Sequence, residues 1–206
     1  MPPSRLFEDA PDDTRTAIME ATYLALCEHG YANLTIQRIG DQFEKSKSLL
    51  YHHYDSKDEL LVDFLEYLLE DFQANVPERE FDDAEQHLRT MLDHALDPAI
   101  DDEDCEFTGA MVELRAQAVH DEAYRDHFSR NDRFLREEIA DVVRDGIDQG
   151  VFREVDPDQV AALLVTTISG SMLDRVTTDD AEETLRATRR ELDEYVDAHL
   201  LADEAR

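Results

Sequence analysis

The sequence predicts an all-α protein of about nine helices, with a small N-terminal three-helix unit followed by a larger helical domain. Three observations carry this. Only 6 Gly and 6 Pro punctuate 206 residues; apolar residues recur at spacings of three and four; and no segment alternates with the period of two that a half-buried strand requires.

The first helix runs from about residue 13 to 29, with Ile18, Ala21, Thr22, Ala25 and Leu26 on its inward stripe and Gly30 where a left-handed cap is wanted. Two short helices follow. Thr35 opens TIQRIGDQF and Ser46 opens KSLLYHH, each with a hydroxyl placed to cap free amides. A longer helix begins near Ser56, which stands in capping-box spacing to Glu59. Its apolar stripe is Leu60, Leu61, Phe64, Leu65, Leu68 and Phe72, and it ends before Pro77. The acidic stretch PEREFDD places a domain boundary near residues 75–82, dividing the chain into 13–74 and 75–206. Five further helices are expected, at about 83–96, 107–119, 121–149, 157–175 and 180–201, with DPAIDDEDCEF read as a loop.

Charge narrows the function. Asp plus Glu number 51 against 20 Lys plus Arg, a formal charge of −31. Such a surface cannot coat nucleic acid or an anionic membrane, so any polyanion partner must be met at a local exception. The acidity, with 17 Arg and 3 Lys, fits a chain adapted to molar salt, where a Debye length of ~3 Å removes most self-repulsion. Cys27 and Cys105 stand far apart, without Cys-x-x-Cys, so neither disulfides nor structural zinc is expected. With no apolar leader and no run approaching the 18 or more apolar residues needed for a spanning helix, the expectation is a cytoplasmic protein without membrane contact.

Enzyme readings fail on spacing. No Glu-x-x-His, Gly-x-Ser-x-Gly, His-Glu-x-x-His or Gly-rich phosphate loop occurs, so no catalytic residue, metal or cofactor is expected. The local exception lies elsewhere. All three lysines, Lys45, Lys47 and Lys57, fall within 13 consecutive residues, and residues 33–57 carry a net +1 while the rest carries −32. This island coincides with two short helices joined by a tight turn, the geometry that delivers a second helix into a DNA major groove. A solvated face can produce the same cluster, so charge alone does not decide.

The order of residues does more. IQRIGDQF followed by KSKSLLYHHYDSKDELL resembles the N-terminal DNA-binding domain of the tetracycline-repressor (TetR) family, in particular the run Tyr51, His52, His53, Tyr54, Asp55, Ser56, Lys57, Asp58, Glu59, Leu60. The resemblance covers about residues 13–74 and implies a helix-turn-helix at about 34–53. Beyond it only helix number and length agree, implying a C-terminal ligand-binding and dimerisation domain. The function implied is a transcriptional regulator, most simply a repressor, that binds a palindromic double-stranded DNA operator as a homodimer and is released by a small-molecule effector. The alternative is a helical partner-binding module without sequence-specific DNA binding.

On this reading Leu50 and Tyr54 pack inward and aim the third helix, while Lys47, Ser48, Leu49 and His52 project toward bases. Thr35, with the free amides beside it, and Ser46 suit phosphate at helix starts. Gln37 matches a second-helix position that reaches a base edge, and Tyr51 and Lys57 match positions that grip the backbone. Two departures stand out. Phe43, Glu44 and Lys45 occupy a turn where relatives commonly carry a glycine, leaving a left-handed conformation to Glu44, and Gly40 replaces the usual alanine, which would let the second helix approach the first.

In the C-terminal part, Tyr67, Met91, Met111, Glu113, Arg115, Gln117, Phe128, Asn131 and Phe134 form an apolar and aromatic set with a few polar groups, suited to line an effector pocket. Residues 157–175 are apolar around most of the helix, with Asp156 as cap and Pro157 at the first position. With the last helix they resemble the pair that forms a four-helix dimer bundle in TetR-type proteins, through Leu163, Thr167, Ser171, Leu192, Tyr195, Val196 and His199.

Overall fold

The structure, a computed structural model, describes residues 7, 13–43, 45–75, 83–97 and 102–202. Among them are nine α-helices: α1 Thr14–Asn33, α2 Ile36–Gln42, α3 Lys47–His53, α4 Lys57–Asn75, α5 Ala84–Ala95, α6 Asp102–Gln117, α7 Glu122–Asp148, α8 Pro157–Thr177 and α9 Ala181–Tyr195. A π-helical turn, Val196–Leu200, continues α9.

The caps follow the sequence closely. Asp13 accepts the Thr16 amide, Thr35 that of Arg38, and Asp156 those of Asp158 and Gln159. Ser56 Oγ accepts from Glu59 N at 3.1 Å while Glu59 Oε2 accepts from Asp55 N at 2.9 Å, a reciprocal box shifted back by one residue. Gly30 is the left-handed break, φ +65°, and one further turn follows it.

Four expectations are corrected. Ser46 makes no side-chain cap; its carbonyl accepts from Leu49 N at 2.8 Å. Helix α6 starts at Asp102, inside the stretch read as a loop. Residues 180–201 are one α-helix plus a π turn rather than a single regular helix. And α8 is long and apolar enough, by length and composition, to cross a membrane. Its inner face supplies part of the reason, since Val160, Ala161, Leu164 and Val165 are buried in a protein core.

The helices pack as two compact units that do not follow chain order. The first comprises residues 1–77 and 101–129, the second 78–100 and 130–206. Helix α6, placed with the C-terminal domain from the sequence, packs on α1, since an amphipathic stripe shows that a helix is covered but not by which neighbour. The first core holds Ile18, Leu26, Ile39, Leu50, Leu60, Phe64, Leu114 and Tyr124. The second holds Leu88, Leu92, Val143, Phe152, Leu164, Leu185 and Val196. Arginines reinforce the second: Arg89 reaches Glu85, Asp193 and Asp197, and Arg189 reaches Asp93 and Asp193, tying α5 to α9.

Candidate nucleic-acid interface

The reading head is α1 to the start of α4. Leu50 and Ile39 are fully buried, and Phe43 joins them at the turn, so α3 is seated on α2 by apolar contacts. Tyr54 ends α3 and donates to Asp63 Oδ2 at 2.5 Å; Arg15 donates to Asp63 Oδ1 at 2.8 Å and to Glu70 at 2.7 Å. Burial, then the bond to Asp63, pushes the Tyr54 phenol above its ordinary value. These bonds anchor the end of α3 to α4 and α1.

One face of α3 is thereby left to solvent. Ser46, Ser48, Leu49, Tyr51, His52 and His53 are all exposed, Tyr51 by 56%, while Leu50 between them shows nothing. That face carries a hydroxyl, an aliphatic side chain, a phenol and imidazoles: groups that bond base edges, touch a thymine methyl or donate to phosphate. Thr35 and Gln37 are exposed on α2, with the Thr35 hydroxyl accepting the Arg38 amide.

The positive groups have partners within the head. Lys45 donates to Asp13 O at 3.3 Å, Lys47 pairs with Asp41, and Arg38 donates to Asn33 O at 2.5 Å. Lys57, expected on the DNA backbone, donates to Tyr31 O at 3.3 Å with its ammonium 3.9 Å from the centre of the Tyr31 ring. All three lysines therefore have acceptors within the head. At Gly40 an added Cβ would meet the Lys47 stem at 3.3 Å. Glu44, expected in a left-handed conformation, lies outside the described residues.

Beside the head, the sequence missed a polar junction. Asp58 Oδ1 accepts from Tyr31 OH at 3.3 Å and from Tyr124 OH at 3.2 Å, and Glu113 Oε2 accepts from Tyr31 N at 2.7 Å. Glu113 is thus occupied in closing the end of α1, where it had been expected to face an effector. Periodicity carries no sign of this, because the partners lie 27 to 82 positions apart.

The other expected pocket residues divide between the units. Tyr67 and Met111 pack against the first core and Phe128 lies within it, with the Arg115 guanidinium 5.1 Å from its ring centre. Gln117 donates to Glu113 O on its own helix. Met91 packs against the second core, and Asn131 and Phe134 are half-buried on the part of α7 in the second unit. Of the residues expected at a dimer interface, Val196 is fully buried in its own unit and Leu192 and Ser171 are nearly so. Leu163, 46% exposed, and His199 are accessible, with Thr167 and Tyr195 half-buried. Exposed Met172 and Leu173 join Leu163 on α8.

Comparison with known proteins agrees with this geometry. Residues 18–64 match the family described as bacterial regulatory proteins, tetR family, and residues 77–201 match BetI-type transcriptional repressor, C-terminal. A TetR transcription regulator from Haloarcula marismortui is 43% identical with a TM-score of 0.80, over 90% of this chain and 97% of that one. The HTH-type transcriptional repressor AcnR of Corynebacterium efficiens is 24% identical over 177 residues, 86% of this chain and 89% of the relative. A transcriptional regulator from Saccharomonospora viridis in complex with choline is 22% identical with a TM-score of 0.76, over 91% of this chain and 97% of that one. The chain belongs to the TetR family of transcriptional regulators, helix-turn-helix DNA-binding proteins rather than enzymes, with a C-terminal part of the BetI-type repressor class.

Proposed function

We propose that this protein is a cytoplasmic repressor that binds a palindromic operator as a homodimer and releases it when a small molecule occupies the C-terminal domain. The observation that carries the DNA contact is the outward face of α3, with Ser48, Leu49, Tyr51 and His52 exposed around a completely buried Leu50. Ser48 and His52 read base edges, Leu49 touches thymine methyls, and Tyr51, Thr35 and Ser46 contact phosphates, with Gln37 at the rim. Since each lysine already has an acceptor, recognition leans on hydrogen bonds and apolar contact more than on bulk charge. The salt slope is then shallower than that of a protein making ten phosphate contacts.

The dimer reading rests on α8. Leu163 and Leu173 are 46% and 47% exposed on the side of α8 opposite its buried Val160, Leu164 and Val165, and contiguous apolar surface marks an interaction site. A second copy supplies the same face, and its two-fold axis matches a palindromic site. The choline complex of the Saccharomonospora viridis relative supports a fold with room for a small ligand; Tyr67, Met91, Met111, Gln117, Phe128 and Asn131 are the candidates here. The effector acts only if it binds the non-operator conformation better than the operator one.

The test is enrichment of duplexes from random-sequence DNA by the full chain in molar KCl, followed by footprinting. A protected palindrome with half-sites about one helical turn apart is expected. Tyr51→Ala with His52→Ala should abolish the footprint while sedimentation still shows a dimer. A wild-type chain that enriches no sequence would return the protein to the partner-binding alternative.

A further inference from the structure

The geometry points to Asp41 as the residue that sets the salt response of operator binding, by holding Lys47 in the free protein and surrendering it on DNA. This rests on the operator-binding reading above. Lys47 is the first residue of α3, where a side chain is well placed to meet the groove. In the free protein it lies instead along α2. Its methylenes cover Gly40, where an added Cβ would stand 3.3 Å from Cγ and 3.4 Å from Cδ, and its ammonium pairs with Asp41. Gly40 therefore leaves the groove in which the stem rests, and Asp41 holds its end.

The pair is exposed, 47% at Lys47 and 57% at Asp41. Exposed pairs of this kind hold weakly, so a phosphate or a guanine edge can take the lysine away. What distinguishes this arrangement is its ion balance. A free lysine that neutralises a phosphate releases about one condensed cation from DNA. A lysine that first leaves Asp41 breaks an ion pair whose attraction itself weakens as salt rises, and this offsets part of the salt-dependent loss of phosphate attraction. The pair therefore costs affinity at low salt and costs less as salt increases, which suits a protein carrying −31. Asp41 is thus a positioning residue, acting on DNA through Lys47.

The experiment is a double-substitution cycle in the full-length protein, using a duplex enriched by the wild type and fluorescence anisotropy across a KCl series. Asp41→Asn should tighten binding in dilute salt by a factor of about 2 to 5 and steepen the slope of log K against log salt, because the competing ion pair that weakens with salt is gone. In a Lys47→Ala background the same substitution should leave the slope unchanged. A gain of equal size with and without Lys47 would mean that Asp41 acts only as a negative charge near DNA, and would overturn the proposal, as would an unchanged slope in Asp41→Asn alone. A wild type that enriches no duplex overturns the operator-binding reading and this proposal with it. Circular dichroism melts of the variants serve to check that both substitutions leave the helices folded.

Discussion

The phenol of Tyr124, 1% exposed at the start of α7, donates to the Asp58 carboxylate in the first turn of α4 at 3.2 Å. Asp58 accepts from Tyr31 as well, so one carboxylate joins the ends of three helices of the first unit. Tyr124→Phe keeps the ring and removes the donor. A hydrogen bond to a charged acceptor is worth roughly 1.5–3 kcal/mol, and the partial exposure of Asp58 places the loss near the lower figure. Denaturant unfolding in molar KCl measures it; an unchanged midpoint would remove Asp58 from the set of residues that hold the junction.

Three phenols set an alkaline limit. Tyr31, Tyr54 and Tyr124 all have pKa values raised above the ordinary 10, in each case first by burial and then by neighbouring carboxylates. A phenol whose folded pKa is raised keeps its proton in the native state while the unfolded chain loses it. The stability it contributes is present in full below about pH 10 and is lost as pH climbs through the folded value. Stability should therefore begin to fall above about pH 10, and Tyr54→Phe should flatten the pH dependence there. A stability curve level between pH 9 and about 12 would contradict this.

Gly146 on α7 cannot acquire a side chain. An alanine Cβ there would stand 2.0 Å from Phe152 Cδ2, and Phe152 is 3% exposed in the second core. Alanine gains about 1 kcal/mol in helix propensity over glycine, yet overpacking costs about 1–3 kcal/mol and more when the ring cannot move. Gly146→Ala should destabilise the protein, and trimming the ring with Phe152→Leu should make the alanine better tolerated. Calorimetry on the four combinations reads the coupling directly.

Arg189 bonds Asp93 and Asp193 from a side chain 17% exposed. Arg189→Ala removes this partner from Asp93 and leaves Asp193 to Arg89, which also holds Asp197. The loss should be on the order of 1 kcal/mol in dilute salt and should shrink toward molar salt, where carboxylate repulsion is screened. Thermal midpoints at two salt concentrations test the sign; a loss that grew with salt would exclude an ionic origin.

Leu50 and Tyr51 are neighbours on α3 with opposite duties. Leu50→Ala should cost about 2–5 kcal/mol of stability, as a fully buried leucine does. Tyr51→Ala should leave the melt unchanged and weaken duplex binding about tenfold. Equal stability losses for both would mean that α3 does not present the face described.

Most of the helices and the seat of α3 are written in local sequence. Caps, apolar spacing and the run from Tyr51 to Leu60 are local features, and a helix is decided within a few residues of its own chain. The burial of Leu50 and the exposure of Ser48, Leu49, Tyr51 and His52 follow from the same periodicity. Tertiary structure alone decided the partners: α6 on α1, Glu113 on the Tyr31 amide, Asp58 between two tyrosines, Val196 inward, Lys47 on Asp41. Periodicity reports that a face is covered. Which charge meets which across tens of residues depends on how helices cross, and no local pattern contains that angle.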